Sequence, residues 1–309
     1  MIPEDPTYSG AISFGSGRYE LVSVLRTTET GGVFLGKDKK SGVRRAVKLL
    51  DAEVAIPQAV ERFLAEARVL ESIDHPHVVR GWDHGREKGF CWYAMELLPG
   101  GSLQEHLAKK GAMPLEYALP LIFQVLMGVD ALHQAGLVHR DIKLTNVLVD
   151  GEGNARLTDL GVAHHPDSTV EFHTIPGQAM GTPGYGSPEQ WTNAGSAGTP
   201  ADLFATGVLL YRLLTRRKAD RLHLAHLRPN LLSNLERPIA ELLLHATQHQ
   251  PRNRFQDAPT MAMAIAEARD VVYGLDESAL WIRRFRDPKH PDWAETFAPL
   301  QGWLTTTGP

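Results

Sequence analysis

Asp141, Lys143 and Asn146 stand close together in the run His139-Arg140-Asp141-Ile142-Lys143-Leu144-Thr145-Asn146. A carboxylate at Asp141 would accept the proton of an attacking hydroxyl, and an ammonium at Lys143 would balance the charge of a phosphoryl group in flight. The amide oxygen of Asn146 suits a hard cation such as Mg²⁺. Asp159-Leu160-Gly161 follows, a second carboxylate before a glycine able to turn sharply. A polar turn between a helix and a strand would explain any one of these residues but not the set. Together they are the parts needed to place a metal-bound triphosphate against an alcohol.

The flanking chain must position these groups. From Tyr19 the pattern alternates as in strands, over Tyr19 to Leu25, Val33 to Lys37 and Arg45 to Leu50, with turns at Gly31-Gly32 and Lys40-Ser41-Gly42. Glu61 to Ile73 reads as a helix with Phe63, Ala67 and Leu70 on one apolar face and Glu66 one residue off it. Val78 to Asp83 and Phe90 to Met95 complete an expected five-stranded sheet. Leu103 to Lys110 and Pro114 to Gln134 read as helices, the second stopped by Gly136, and an apolar helix runs from Asp202 to about Thr215.

The 309 residues are 43% hydrophobic and 22% charged, an ordinary globular balance, with net charge −4 and no long basic run. Neither nucleic acid nor an anionic membrane surface is indicated as a partner. Cys91 stands alone, which excludes an intrachain disulfide and fits a reducing compartment. No uninterrupted apolar run of about 18 residues occurs and the N-terminus lacks signal-peptide features, so the expected location is cytoplasmic.

The two chemical segments, HRDIKLTN and DLG, resemble the catalytic loop and metal-binding turn of the eukaryotic-type (Hanks-type) protein kinases, H-R-D-L-x-x-x-N and D-F-G, most like those of bacterial serine/threonine kinases. Ala46-Val47-Lys48 resembles the third-strand lysine motif, and Gly181-Thr182-Pro183-Gly184-Tyr185-Gly186-Ser187-Pro188-Glu189 resembles the close of an activation segment. The resemblance implies an α+β, bilobal fold. Residues 1–18 would be a flexible leader, 19–95 a small β lobe with one main helix, 96–272 the hinge and a larger helical lobe, and 273–309 an aromatic-rich extension.

It also implies roles for single residues. Lys48 would brace the α- and β-phosphates of ATP, paired with Glu66, for which Arg62 or Arg68 is the alternative partner. Asp159 and Asn146 would hold Mg²⁺, with Mn²⁺ a possible substitute. Asp141 would orient the acceptor hydroxyl and Lys143 would lie against the moving phosphoryl group. Leu25, Val33, Ala46, Met95 and Leu148 would surround the adenine, with main-chain bonds from Glu96 and Leu98. His139 belongs to the catalytic loop, and Asp202 would bond that loop's backbone. Arg140 would gather a phosphate on the activation segment, where Ser168, Thr169 and Thr174 are candidate autophosphorylation sites. Thr182 fits the serine/threonine branch, Glu189 would pair with Arg254, and His75 and His77 would shape a helix-to-strand turn. The implied partner is a protein carrying a serine or threonine acceptor.

The glycine-rich loop departs from the family. Arg26 and Thr28 stand where two of the three glycines belong and only Gly31 remains, so strain of roughly 1–2 kcal/mol per forced left-handed residue is expected there. The alternative function is accordingly a pseudokinase scaffold with weak or no catalysis. A kinase acting on a small alcohol fits less well, because Thr182, Glu189 and Arg254 belong to a protein-substrate platform. The stretch Arg216 to Arg237 is shorter than the family's. The extension carries Trp281, Trp293 and Trp303, half of the six tryptophans, with Phe285 and Phe297. Such area would either pack on the large lobe or dock a partner.

Overall fold

The computed structural model describes residues 12–160, 182–192, 197–219 and 221–287. Ser168, Thr169 and Thr174 lie outside them, as do Trp293, Phe297 and Trp303. The chain divides into two compact units, one comprising Met1–Asp74 and Val78–Leu97, the other His75–His77 and Leu98–Pro309.

In the first unit β1 (Ser13–Phe14), β2 (Tyr19–Thr28), β3 (Gly31–Asp38), β4 (Arg44–Asp51), β5 (Gly81–Glu87) and β6 (Phe90–Met95) form one antiparallel sheet in the order β1-β2-β3-β4-β6-β5. Six strands thus replace the expected five. The addition comes from the supposed leader: Phe14 pairs with Tyr19 across a turn in which Gly15 and Gly17 both have positive φ. The physical reason is aromatic packing, for Phe14 and Tyr19 are buried against Trp92 at ring-centroid distances of 6.2 and 5.5 Å. Small-residue composition hid that contact.

Helix α1 (Pro57–Ser72) starts one turn before the expected Glu61, with proline in its first turn, where the missing N–H costs no hydrogen bond. It buries Phe63, Glu66, Ala67 and Leu70. Val78 and Val79 are buried but precede β5 instead of opening it. Gly81, where β5 starts, lies so close to α1 that a Cβ would come within 3.0 Å of Leu70 and of the Glu71 backbone.

The expected strain in the β2–β3 hairpin is not found. Arg26 and Thr28 lie in β2, cross-strand from Val33 and Gly31, and neither has a positive φ. Gly31 is required for another reason, since a Cβ there would sit 2.0 Å from the Leu49 carbonyl oxygen of β4.

The second unit contains α2 (Leu103–Lys110), α3 (Leu115–Gln134), β7 (Val147–Val149), β8 (Ala155–Leu157), α4 (Pro188–Thr192), α5 (Thr199–Thr215), α6 (Arg228–Leu232), α7 (Arg237–Ala246), α8 (Ala258–Tyr273) and α9 (Ser278–Arg286). Ser102 and Glu105 close a reciprocal capping box at the start of α2. By length and composition α3 would suit a membrane, but its residues from Ala118 to Val129 are buried in this unit, as befits a core helix. Apolar α5 packs beside it and α8 covers another face.

Two contacts extend the core. In α9, Trp281 and Phe285 meet Phe123 of α3 edge-on, at 4.9 and 5.5 Å between centroids, so the first part of the aromatic extension is packed. Glu189 of α4 receives two bonds from Arg254, 2.6 and 2.8 Å long. The Arg254 guanidinium also donates to the carbonyls of Gln248 and His249 and lies over the Phe204 ring of α5. Burial alone would push the Glu189 carboxyl up, but the bonds and charge of Arg254 outweigh it and hold the carboxyl below its usual range.

Two outcomes follow from this packing. Trp281→Ala is expected to lower stability by about 3–5 kcal/mol in urea unfolding, and a loss below about 1 kcal/mol would assign Trp281 to something other than the core. Glu189→Gln leaves a buried guanidinium with half its partner and should cost about 3 kcal/mol at neutral pH. The Glu189 carboxyl of the unfolded chain titrates near 4.5. Its contribution is therefore complete above that pH and is lost as pH falls through the lower folded value, so Glu189→Gln should flatten the acid limb of the stability curve.

Candidate active site

The loop bearing Asp141 is held from below by Asp202, which α5 carries into the core with no exposure. One of its carboxylate oxygens accepts the Arg140 N–H at 2.7 Å. The other accepts the His139 N–H and the His133 imidazole, both at 2.8 Å. Burial would raise this carboxyl, yet His133 and the neighbouring donors hold it below the usual range. Arg140 takes a left-handed φ of 64°, and two adjacent amides anchored to one carboxylate are what maintain it. Gln190 adds a bond from its side-chain amide to the Arg140 carbonyl, at 2.8 Å.

Past that anchor, Asp141 becomes the centre of a small network. Its Oδ1 accepts the Thr182 hydroxyl at 2.7 Å, and its Oδ2 accepts Lys143 Nζ at 2.6 Å and Asn146 Nδ2 at 3.0 Å. Lys143 also donates to the Thr182 oxygen at 2.8 Å. The Tyr185 hydroxyl accepts the Leu144 N–H, and the buried His139 ring accepts the Asp141 N–H through Nδ1. A carboxylate so supplied with donors is held in one orientation, as a group that must meet an incoming hydroxyl has to be.

The β7–β8 pair brings Asn146 to Thr158, the residue before Asp159. Val147 stands opposite Leu157, and the Thr158 N–H donates to the Asn146 carbonyl at 3.0 Å. Asp159, half-buried, has φ 53°. The Asn146 side-chain nitrogen is directed at Asp141, which turns its oxygen the other way, toward the Thr145 hydroxyl. A carboxylate and an amide oxygen are hard donors, and the pair fits Mg²⁺ in chemical kind. His77 serves the turn before β5: its Nδ1 bonds the Ala155 carbonyl at 2.9 Å, and burial pushes its pKa down to about 3.

In the first unit, Lys48 Nζ reaches both Glu66 oxygens, at 3.2 and 3.3 Å, so the expected partner is taken in place of Arg62 or Arg68. Val33, Lys48 and Tyr93 are cross-strand partners in one row, and Leu35, Ala46 and Met95 in the next. Ala46 and Met95 are buried, whereas Leu25 sits at a bulge of β2 and is half exposed. The Glu96 N–H donates to the Arg80 carbonyl. Leu98 and Leu148 belong to the second unit.

Arg140 directs its guanidinium to the Ala197 carbonyl at 3.0 Å. The acceptors proposed for its phosphate, Ser168, Thr169 and Thr174, are outside the described residues. Sequence reading missed His133, Tyr185, Gln190 and Tyr93. Gln190 directly follows Glu189 and His133 precedes the loop by six residues, but neither carries a spacing that reports its partner.

Residues 19–252 match the protein kinase domain family. The serine/threonine-protein kinase PrkC of Bacillus subtilis is 32% identical over 268 residues, covering 82% of this chain and 41% of that protein. Pkn2 of Myxococcus xanthus, another serine/threonine-protein kinase, is 38% identical over 207 residues, covering 65% and 25% respectively. PknL of Mycobacterium bovis, likewise named, is 32% identical over 279 residues, covering 85% and 68%. The chain therefore spans less than half the length of the first two relatives. With three quarters of its length matched, and with the aspartate, lysine and asparagine of the loop in one network, this chain belongs to the protein kinase domain family.

Proposed function

We propose that this chain is a serine/threonine protein kinase that transfers the γ-phosphate of ATP to protein hydroxyls. The observation that carries the reading is the Asp141 carboxylate bonded at once to Lys143, Asn146 and Thr182. An incoming hydroxyl would displace Thr182 from Asp141 Oδ1 and offer its proton to that oxygen. Lys143, already 2.8 Å from the Thr182 oxygen, would face the phosphoryl group as its charge spreads over the equatorial oxygens. Lys48 would brace the α- and β-phosphates while Glu66 fixes its direction.

Asp159 and Asn146 would hold the divalent ion, Mg²⁺ in the first place with Mn²⁺ as substitute, which neutralises phosphate charge when bound. Catalysis is then positioning plus electrostatics. The scaffold alternative rested on strain at Arg26 and Thr28, and neither residue has a positive φ. Autophosphorylation would use Ser168, Thr169 or Thr174, with Arg140 as the phosphate's partner. A cytoplasmic setting accords with the single buried cysteine, Cys91. Trp281 and Phe285 are buried and so are not offered to any partner that docks on the 273–309 extension.

Incubation with labelled ATP and Mg²⁺ tests the reading. Label should enter the chain or a generic protein substrate, and Asp141→Asn should lower the rate by about 10²–10⁴-fold. Lys48→Met and Asp159→Ala should abolish detectable transfer, as should chelation of the metal. A folded wild-type protein that transfers nothing to itself or to any substrate would return the weight to the scaffold.

A further inference from the structure

The Lys48–Glu66 pair sits inside an aromatic enclosure that no motif marks. Tyr93 stands opposite Lys48 in the β4–β6 register, so their side chains share one face of the sheet, the face on which α1 lies. The Tyr93 hydroxyl donates to Glu66 Oε1 at 2.9 Å. The same oxygen receives Lys48 Nζ at 3.2 Å, and Glu66 Oε2 receives it at 3.3 Å. Phe63, three residues before Glu66 on α1, packs on the Tyr93 ring with centroids 4.9 Å apart. The Lys48 ammonium lies 5.5 Å from the Tyr93 centroid and 6.0 Å from that of Phe63. Tyr93 is 1% exposed and Glu66 9%.

We infer that Tyr93 is a positioning residue for phosphate transfer, holding Glu66 and with it α1 in place through its hydroxyl so that Lys48 stays aimed. A carboxylate withdrawn from water needs donors, and Lys48 is an unreliable one. On the kinase reading, on which this inference rests, a nucleotide draws the lysine ammonium toward its phosphates and weakens its hold on Glu66. Tyr93 carries no charge for a phosphate to attract, and its ring is fixed between strand and helix. Its bond to Glu66 persists whichever way Lys48 turns. The first unit therefore keeps the paired arrangement by its own contacts.

Tyr93→Phe removes the hydroxyl and retains the ring, so it is the deciding variant, with Glu66→Gln and the double variant beside it. Tyr93→Phe is expected to raise KM for ATP about tenfold, the equivalent of one lost charge-assisted bond, while kcat falls less and the unfolding midpoint stays close to wild type. Combined with Glu66→Gln it should add nothing, because the hydroxyl acts only through that carboxylate. In the nucleotide-free protein, acetylation of Lys48 by an N-hydroxysuccinimide ester, read by peptide mass spectrometry, should run about threefold faster in Tyr93→Phe as the ammonium is released.

Unchanged KM and unchanged Lys48 acetylation, or effects that add to those of Glu66→Gln, would overturn the inference and leave Tyr93 as packing alone. A wild-type protein without turnover would sink the kinase reading instead. In that event the acetylation rate still decides the role of Tyr93.

Discussion

The loop that bears Asp141, Lys143 and Asn146 depends on one carboxylate buried where no water reaches it. Asp202 would cost several kcal/mol to bring into the core without donors, and it has three, from the His139 and Arg140 backbones and the His133 ring. In return it imposes a backbone shape. A left-handed Arg140 costs roughly 1–2 kcal/mol by itself, less than a buried carboxylate would lose by releasing an amide. The loop therefore keeps its bend, and the bend delivers Asp141 to Lys143, Asn146 and Thr182. Helix α5 is apolar nearly all round because it is buried between α3 and α7, and its first turn carries Asp202 into that interior.

Charge is used in the same way elsewhere in the chain, and exposure decides what each pair is worth. Arg237 and Glu241 meet at 2.8 Å, but their side chains are 89% and 61% exposed, so water screens the bond and it contributes little. Arg254 and Glu189 meet at a similar distance with 0% and 13% exposure, and there the loss of one partner strands the other. Lys48 and Glu66 combine a covered acid with a partly open base: Glu66 is 11% exposed, much as Glu189 is, whereas Lys48 at 22% is more open than Arg254. A pair of that kind holds its geometry yet leaves the ammonium open to a competing anion, as the kinase reading asks of Lys48.

The chemistry was legible in the sequence wherever spacing alone determines it. Asp141, Lys143 and Asn146 lie within one loop, so their order along the chain nearly fixes their order in space. Lys48 and Glu66 were readable only through the resemblance, as the lysine of the Ala46-Val47-Lys48 strand motif and a glutamate beside the apolar stripe of a helix. What stayed hidden were contacts between residues far apart in sequence whose types have ordinary reasons to be where they are. Tyr93 reads as a strand aromatic, His133 as a polar residue near a helix end, and Phe14 as part of a glycine- and serine-rich leader. Their partners, Glu66, Asp202 and Trp92, are 27, 69 and 78 residues away. The onset of β5 at Gly81 was hidden for a related reason, since it depends on how closely the strand passes α1 and not on the apolar run Val78-Val79.

The β2–β3 hairpin shows where a motif misleads. Glycines in the family's loop free backbone amides to approach phosphates, and their loss from positions 26 and 28 suggests strain. The strands answer the difficulty differently, by continuing to pair as far as Thr28 and Gly31, so that only Glu29 and Thr30 are left to turn. Residues in a regular ladder need no left-handed backbone, and amides already engaged in the ladder have less to offer an anion. On the kinase reading, phosphate recognition then shifts from main-chain amides to side-chain cations and the metal ligands. Lys48 carries more of that burden than a lysine beneath a glycine lid would, and its aim becomes correspondingly more important. The apolar sheet face, the helix that supplies Glu66 and the tyrosine opposite the lysine thus answer one demand: a single ammonium group must point the right way.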